Sequence, residues 1–215
     1  MEFDFLSPVE TNLIIEIKRL SSQHLSNKVV FHTQEDFPDI SKIKIAIIGV
    51  PDHRGASSLN NECDHSLVRL NLYSLFPGNW SSTIADLGDI LPGNSPEDTY
   101  FALQKVVSKL LKNGVIPIII GGSQDLTYAL YRGYDELEQM VNLASIDSKF
   151  DLGKQDESAI ADTYLSKIII EEPNNLFNYS NIGFQTYYNS QEEIDLIEKL
   201  FFDAYRLGEI CNSIA

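Results

Sequence analysis

Two short segments hold residue types and spacings that could do chemistry: Gly121-Gly122-Ser123-Gln124-Asp125 and Asp147-Ser148-Lys149-Phe150-Asp151. Each follows an apolar run and so falls at the carboxyl end of a strand, where open parallel sheets hold their ligands. In the first, paired glycines permit unusual backbone angles and close approach, and Ser123 could cap the helix that follows. A tight turn serving only packing would explain the same residues. In the second, extended alternation sends Asp147, Lys149 and Asp151 to one side and Ser148 and Phe150 to the other. Two carboxylates on one face suit a hard divalent cation. Lys149 argues otherwise, because it puts a fixed ammonium where the cation would sit. An Asp-Lys-Asp cluster that ties loops together is the plainer alternative. Neither segment contains the histidine usual in a transition-metal set.

Other chemistries fit less well. Gly121-Gly122-Ser123 resembles a serine nucleophile elbow, but that motif wants a small residue where Asp125 stands. The base would also have to come from upstream, since the histidines are at 24, 32, 53 and 65. Cys63-Asp64-His65 lacks the second ligand pair of a zinc site. Gly49-Val50-Pro51 lacks the glycine turn of a dinucleotide fold. His53 and Arg54 follow the first long strand on the same rim and could meet a ligand carboxylate, although surface placement serves equally.

The elements that must position these residues read as alternating strands and helices. Ile43–Val50, Thr83–Leu87, Ile116–Ile120, Val141–Ile146 and Asn181–Phe184 are short, apolar and bounded by turn residues. Helical spacing occupies 64–75, 97–112 and 124–139, which makes βαβ units and a parallel sheet the natural assembly. The near-continuous runs at 45–48 and 116–120 predict strands covered on both faces. Ser7, Ser95 and Ser190 each begin a capping sequence, with Pro8 and Pro96 at the first helical position. Asn60-Asn61 and Pro92-Gly93-Asn94 read as loops within one domain spanning 1–215. Residues 204–214 read as a helix with no strand after it.

The totals narrow the function classes. The 215 residues carry 31 acidic and 16 basic side chains, a formal charge of −15, with no basic stripe. That field repels a phosphate backbone, so a nucleic-acid partner is not expected. No apolar run reaches the roughly 18 residues of a membrane span. Acidic Glu2 and Asp4 and only two cysteines point away from a secreted, disulfide-bonded protein and toward a cytoplasmic one.

In order and spacing the segments resemble the ureohydrolases, the family of arginase, agmatinase and formimidoylglutamase. Ile48-Gly49-Val50-Pro51, Arg54-Gly55-Ala56, Asp86-Leu87-Gly88-Asp89 and Pro117 through Gly122 are the landmarks, over roughly residues 40 to 190. Gly121-Gly122-Ser123-Gln124-Asp125 stands where the family has Gly-Gly-Asp-His-Ser. Asp147-Ser148-Lys149-Phe150-Asp151 stands where it has Asp-Ala-His-x-Asp. The resemblance implies an arginase-like three-layer α/β/α fold with a mainly parallel sheet, the family's C-terminal strands lying beyond residue 215. It also implies a place for two manganese ions, whose bridging hydroxide attacks a guanidinium or formimino carbon. The ligand places carried over are Gln124, Asp147, Lys149 and Asp151, with both histidines replaced. A further carboxylate motif, Ser-x-Asp-x-Asp, does not occur before Ala215. The expectation is a formimidoylglutamase-like protein that binds no metal in this form and does not hydrolyse its ancestral substrate. The alternatives are an active metal-dependent hydrolase in a longer protein and a scaffold or regulatory subunit of an active homologue. Expected partners are a small carboxylate-bearing or guanidino ligand and further copies of itself or of a homologue.

Overall fold

The computed structural model describes residues 2–56, 63–79, 81–153 and 160–214; Asn60 and Asn61 lie outside them. The elements run β1 (Leu6–Ser7), α1 (Thr11–Ile17), β2 (Val29–Phe31), β3 (Ile45–Gly49), α2 (His65–Tyr73), β4 (Ile84–Ile90), α3 (Pro96–Lys112), β5 (Ile116–Ile120) and α4 (Leu126–Asp135). They continue with β6 (Val141–Ile146), α5 (Tyr164–Ile170), β7 (Leu176–Phe184), α6 (Gln191–Lys199), β8 (Asp203–Arg206) and α7 (Leu207–Ile214).

The strands form two sheets. One has five strands in the order β1-β4-β3-β5, with β2 also on β4, and the other has three in the order β6-β7-β8. Every pairing is parallel except that of the two-residue β1 with β4. The expected α/β architecture with a mainly parallel sheet is therefore present, drawn as two ladders rather than one. One apolar core runs across both, from Ile48, Leu87 and Leu103 to Phe150, Leu165, Tyr179 and Ile197. A second core lies where α1 and α2 cover the opposite face of the larger sheet, around Ile17, Ile47, Tyr73 and Ile84.

Local chemistry sets several boundaries. Ser95 and Asp98 form a reciprocal capping box at α3, as do Ser190 and Glu193 at α6. Each satisfies two backbone donors that the first helical turn would leave open. Asp64 caps α2 through Leu67 N–H at 2.9 Å.

Two expectations are corrected. Ser7 does not cap a helix: it lies in β1 opposite Asp89, and α1 begins at Thr11. Tertiary pairing with β4 overrides the local Ser-Pro-x-Glu signal. Residues 203–206 are a parallel strand on β7, so the last helix starts only at Leu207. The β7 strand is also longer than its apolar tip, beginning at Leu176. Among the described residues no helix is long and apolar enough to cross a membrane.

Candidate functional site

The loops after β3 and β5 are joined through their backbones. Ser123 N–H donates to the Asp52 carbonyl at 3.0 Å, and the Ser123 hydroxyl donates to the same oxygen at 3.3 Å. A Cβ on Gly122 would stand 1.9 Å from that oxygen, so close approach is what requires glycine there. Gly55 is fixed in the same way by the Asp125 carboxyl, 2.1 Å from where its Cβ would be. Ser123 therefore seats one loop on the other and does not cap α4. The N-cap position belongs to Asp125, whose side chain makes no capping bond. Instead the buried Asp125 carboxylate accepts from the Tyr100 hydroxyl, and burial together with that carboxylate pushes the Tyr100 pKa up.

Arg54 does reach the rim, but its guanidinium is already committed. It donates from Nε and Nη2 to the two Asp52 carboxylate oxygens at 2.9 and 2.6 Å, and from Nη1 to the Asn94 carbonyl at 3.2 Å. Thr99 Oγ1 adds a bond to Asp52 at 2.7 Å. Burial opposes ionisation of Asp52, and the bonds from Arg54 and Thr99 outweigh it, holding the carboxyl below the usual range. Arg54 is thus ion-paired within the rim, with its side chain 37% exposed. His53 accepts from Cys63 N–H at 3.4 Å.

The second segment departs from simple alternation. Strand β6 ends at Ile146, and the Asp147 carboxylate folds back to accept from Lys149 N–H at 3.0 Å. Asp151 takes a left-handed backbone, φ 55°, beside a fully buried Phe150. Asparagines clamp this loop. Asn181 of β7 donates to the Lys149 carbonyl at 2.9 Å, and Asn189 donates to the Ser148 carbonyl while accepting from Phe150 N–H. The Lys149 ammonium reaches Asp162 at 3.2 Å, so its direct partner is neither neighbouring aspartate. Asp162 raises its pKa against the opposing effect of burial, with Asp151 and Asp147 adding to the rise. The buried Asp151 carboxyl is pushed up to about 7, by burial first and then by the charges of Asp147 and Asp162. Gln124, within the first segment, acts on the buried Tyr164 of α5 and opposes the rise that burial gives its pKa.

The structure thus brings Asp147, Lys149 and Asp151 within electrostatic reach of one another and adds Asp162, Tyr164 and Asn181, which the sequence had not singled out. Asp52 lies two residues before Arg54, a spacing that could have flagged their pairing; the other three carry no local signal. The donors do not fit manganese. Lys149 is a cation paired with a carboxylate, and no three His, Cys, Asp or Glu side chains among the described residues are placed to hold a metal.

The sequence profile of the arginase family matches residues 44–213. This chain belongs to the arginase family. Formimidoylglutamase of Hahella chejuensis is 26% identical over 200 residues, covering 85% of this chain and 60% of that protein. The same enzyme from Geobacillus thermodenitrificans is 29% identical over 131 residues, 59% of this chain and 38% of its own length. Trypanosoma cruzi formiminoglutamase, solved with manganese, superposes at a TM-score of 0.70 and 18% identity, covering 82% of this chain and 64% of that structure. Formimidoylglutamase of Bacillus subtilis gives a TM-score of 0.68 at 18% identity, with 84% and 64% coverage. The arginase-like fold is thereby established, and the chain spans about 60% of the length of the first of these curated relatives.

Proposed function

We propose that this arginase-family chain keeps the ureohydrolase scaffold without manganese-dependent hydrolysis, the charge of Lys149 standing in for that of a cation. The observation that carries the reading is the Lys149 ammonium, 3.2 Å from Asp162 and flanked by Asp147 and Asp151. A protonated amine has no lone pair to offer a metal. At 4 Å and an effective dielectric of 20, its repulsion of a dication is roughly 8 kcal/mol, more than one neutral amide oxygen from Gln124 would recover. Without a metal to acidify a bound water, no hydroxide nucleophile forms at neutral pH. The formimidoylglutamase names of the relatives support a formimino amino acid, a linear amidine, as the ligand class from which the site descends.

A catalytic role within a longer protein is the second reading, favoured by the survival of Asp147 and Asp151. Both are tested by metal analysis of the purified full-length protein after incubation with manganese, together with assays for formamide and urea. The expected result is no stoichiometric manganese and no product above background. Manganese-dependent release of either product would overturn the proposal and leave the catalytic reading.

A further inference from the structure

His65, Arg69 and Tyr73 lie on successive turns of α2 and are all buried. A spacing of four residues stacks them on one face of the helix, toward the carboxyl end of β4. There Arg69 and Tyr73 take up Asp86, and Arg69 also donates to Asp89 at 2.8 Å. His65 reaches two elements at once. Its Nε2 lies 3.3 Å from the carbonyl oxygen of Gly121, the first residue of the candidate-site segment after β5. Its Nδ1 lies 3.8 Å from Asp89 Oδ1, too far for a hydrogen bond, and is buried without a hydrogen-bond partner among the described residues. Gly49, at the end of β3, leaves the space in which these groups meet. A Cβ there would stand 1.9 Å from Asp89 Oδ1 and 2.8 Å from His65 Nδ1.

Both ring nitrogens therefore face acceptors. A neutral imidazole has one N–H and one lone pair, so it serves either the carbonyl or the carboxylate and turns a lone pair on the other. An imidazolium has two donors and serves both. The charges around the ring are divided. Asp89 favours the cation, and Glu10, which accepts from the adjacent Ser66 hydroxyl at 3.3 Å, adds negative charge further out. Arg69 and the N-terminus of α2 oppose it, while Asp64 offsets that terminus by capping it. Burial works against ionisation of Asp89, but His65 and Arg69 outweigh it and hold the carboxyl below its usual range. The acceptor facing Nδ1 is thus an anion.

We propose that His65 is a proton-linked latch, which on taking up a proton ties the Gly121 carbonyl to Asp89 and tightens the seat of Gly121–Asp125 on the larger sheet. Without that proton it holds one of the two and releases the other. The inference does not depend on whether the site binds metal or hydrolyses anything.

The test follows the full chain from about pH 8 to about pH 5, the range in which imidazoles change charge. Ring-nitrogen NMR reports the protons on His65, and hydrogen exchange of the Ser123 amide, corrected for its intrinsic pH dependence, reports the seat of the loop. The His65 signals should pass from one protonated nitrogen to two, with Ser123 protection rising roughly fivefold or more over the same interval. In His65→Gln the protection should be equal at both ends. Asp151→Asn should keep the wild-type rise, although Asp151 also changes charge near pH 7. Melting verifies that both variants fold; should His65→Gln fail to, the two wild-type measurements decide. A ring that keeps a single proton down to pH 5, protection indifferent to pH, or a rise that survives in His65→Gln overturns the proposal. So does a rise abolished by Asp151→Asn, which would assign the effect to the other loop.

Discussion

The two sheets differ in how completely they are finished. In the larger, β4 is buried along almost its whole length, and a polar network lies beneath it. Buried Arg69 donates to Asp86 at 2.8 and 3.2 Å and to Asp89 at 2.8 Å, and Tyr73 donates to Asp86. Burial works against the Arg69 charge, but the two carboxylates prevail and hold its pKa up. In the smaller sheet, β6 alternates between half-buried and exposed; Ser145, Tyr179 and Asn181 form a polar cluster inside it, and a further polar pair lies at the surface, where Asp203 accepts from Asn178 at 2.8 Å. The candidate site takes one loop from each sheet. A rigid frame holds Gly121–Asp125, whereas Asp147–Asp151 depends on asparagine clamps.

The largest effect should come from breaking the frame. Asp86→Ala leaves Arg69 buried with half its compensation and should cost about 3–5 kcal/mol in chemical denaturation. Asp203→Ala, in the smaller sheet, should cost no more than about 1 kcal/mol. Equal losses would erase the contrast between the sheets.

Asp151 sharpens it from the other side. Its folded pKa of about 7 lies above the unfolded value of 3.8. Its contribution is therefore fully present below pH 3.8 and is lost as pH rises through about 7. Wild type should lose on the order of 2–4 kcal/mol relative to Asp151→Asn across that window, read from denaturation at a series of pH values. A difference independent of pH would show that the loop carboxylate is ordinary.

Glu136, which ties α4 to α3, should give a smaller effect than Asp151. Burial opposes its ionisation, but bonds from Lys105, Ser108 and Gln104 take its pKa down to about 2. That stability is present above the unfolded value of 4.5 and is lost as pH falls through about 2. Solvent screens the pair, so Glu136→Gln should cost about 1 kcal/mol at pH 7 and less at pH 3. A loss that does not shrink in acid would assign the effect to packing.

The sequence was most readable where structure is local. The capping boxes at Ser95 and Ser190 and the apolar runs of β3 and β5 needed only near neighbours and formed as read. What escaped depends on distant partners. Ser7 looked like a helix cap until β4 offered it a ladder, and residues 203–206 became a strand because β7 lay beside them. The isoleucines of β5 read as buried on both faces, yet on one face only Ile120 packs against described residues, and Ile116 and Ile118 are exposed. At the site, the ligand places could be carried over one by one. Which carboxylate holds Lys149 could not, since Asp162 lies thirteen residues on and is brought in only by the fold.

Pro117 has a further consequence for solubility. A bare parallel edge of isoleucines is a template for growth, each added strand presenting a fresh edge to the next. Among the described residues β5 pairs only with β3, Ile116 donating to the Lys44 carbonyl and Ile120 accepting from Val50 N–H, so Pro117 and Ile119 turn outward. The strand thus supplies one amide over its length where a regular edge would supply two, and a stack of identical chains would inherit the gap at every layer. Such an edge can accept a strand held by other contacts, but it propagates poorly by itself.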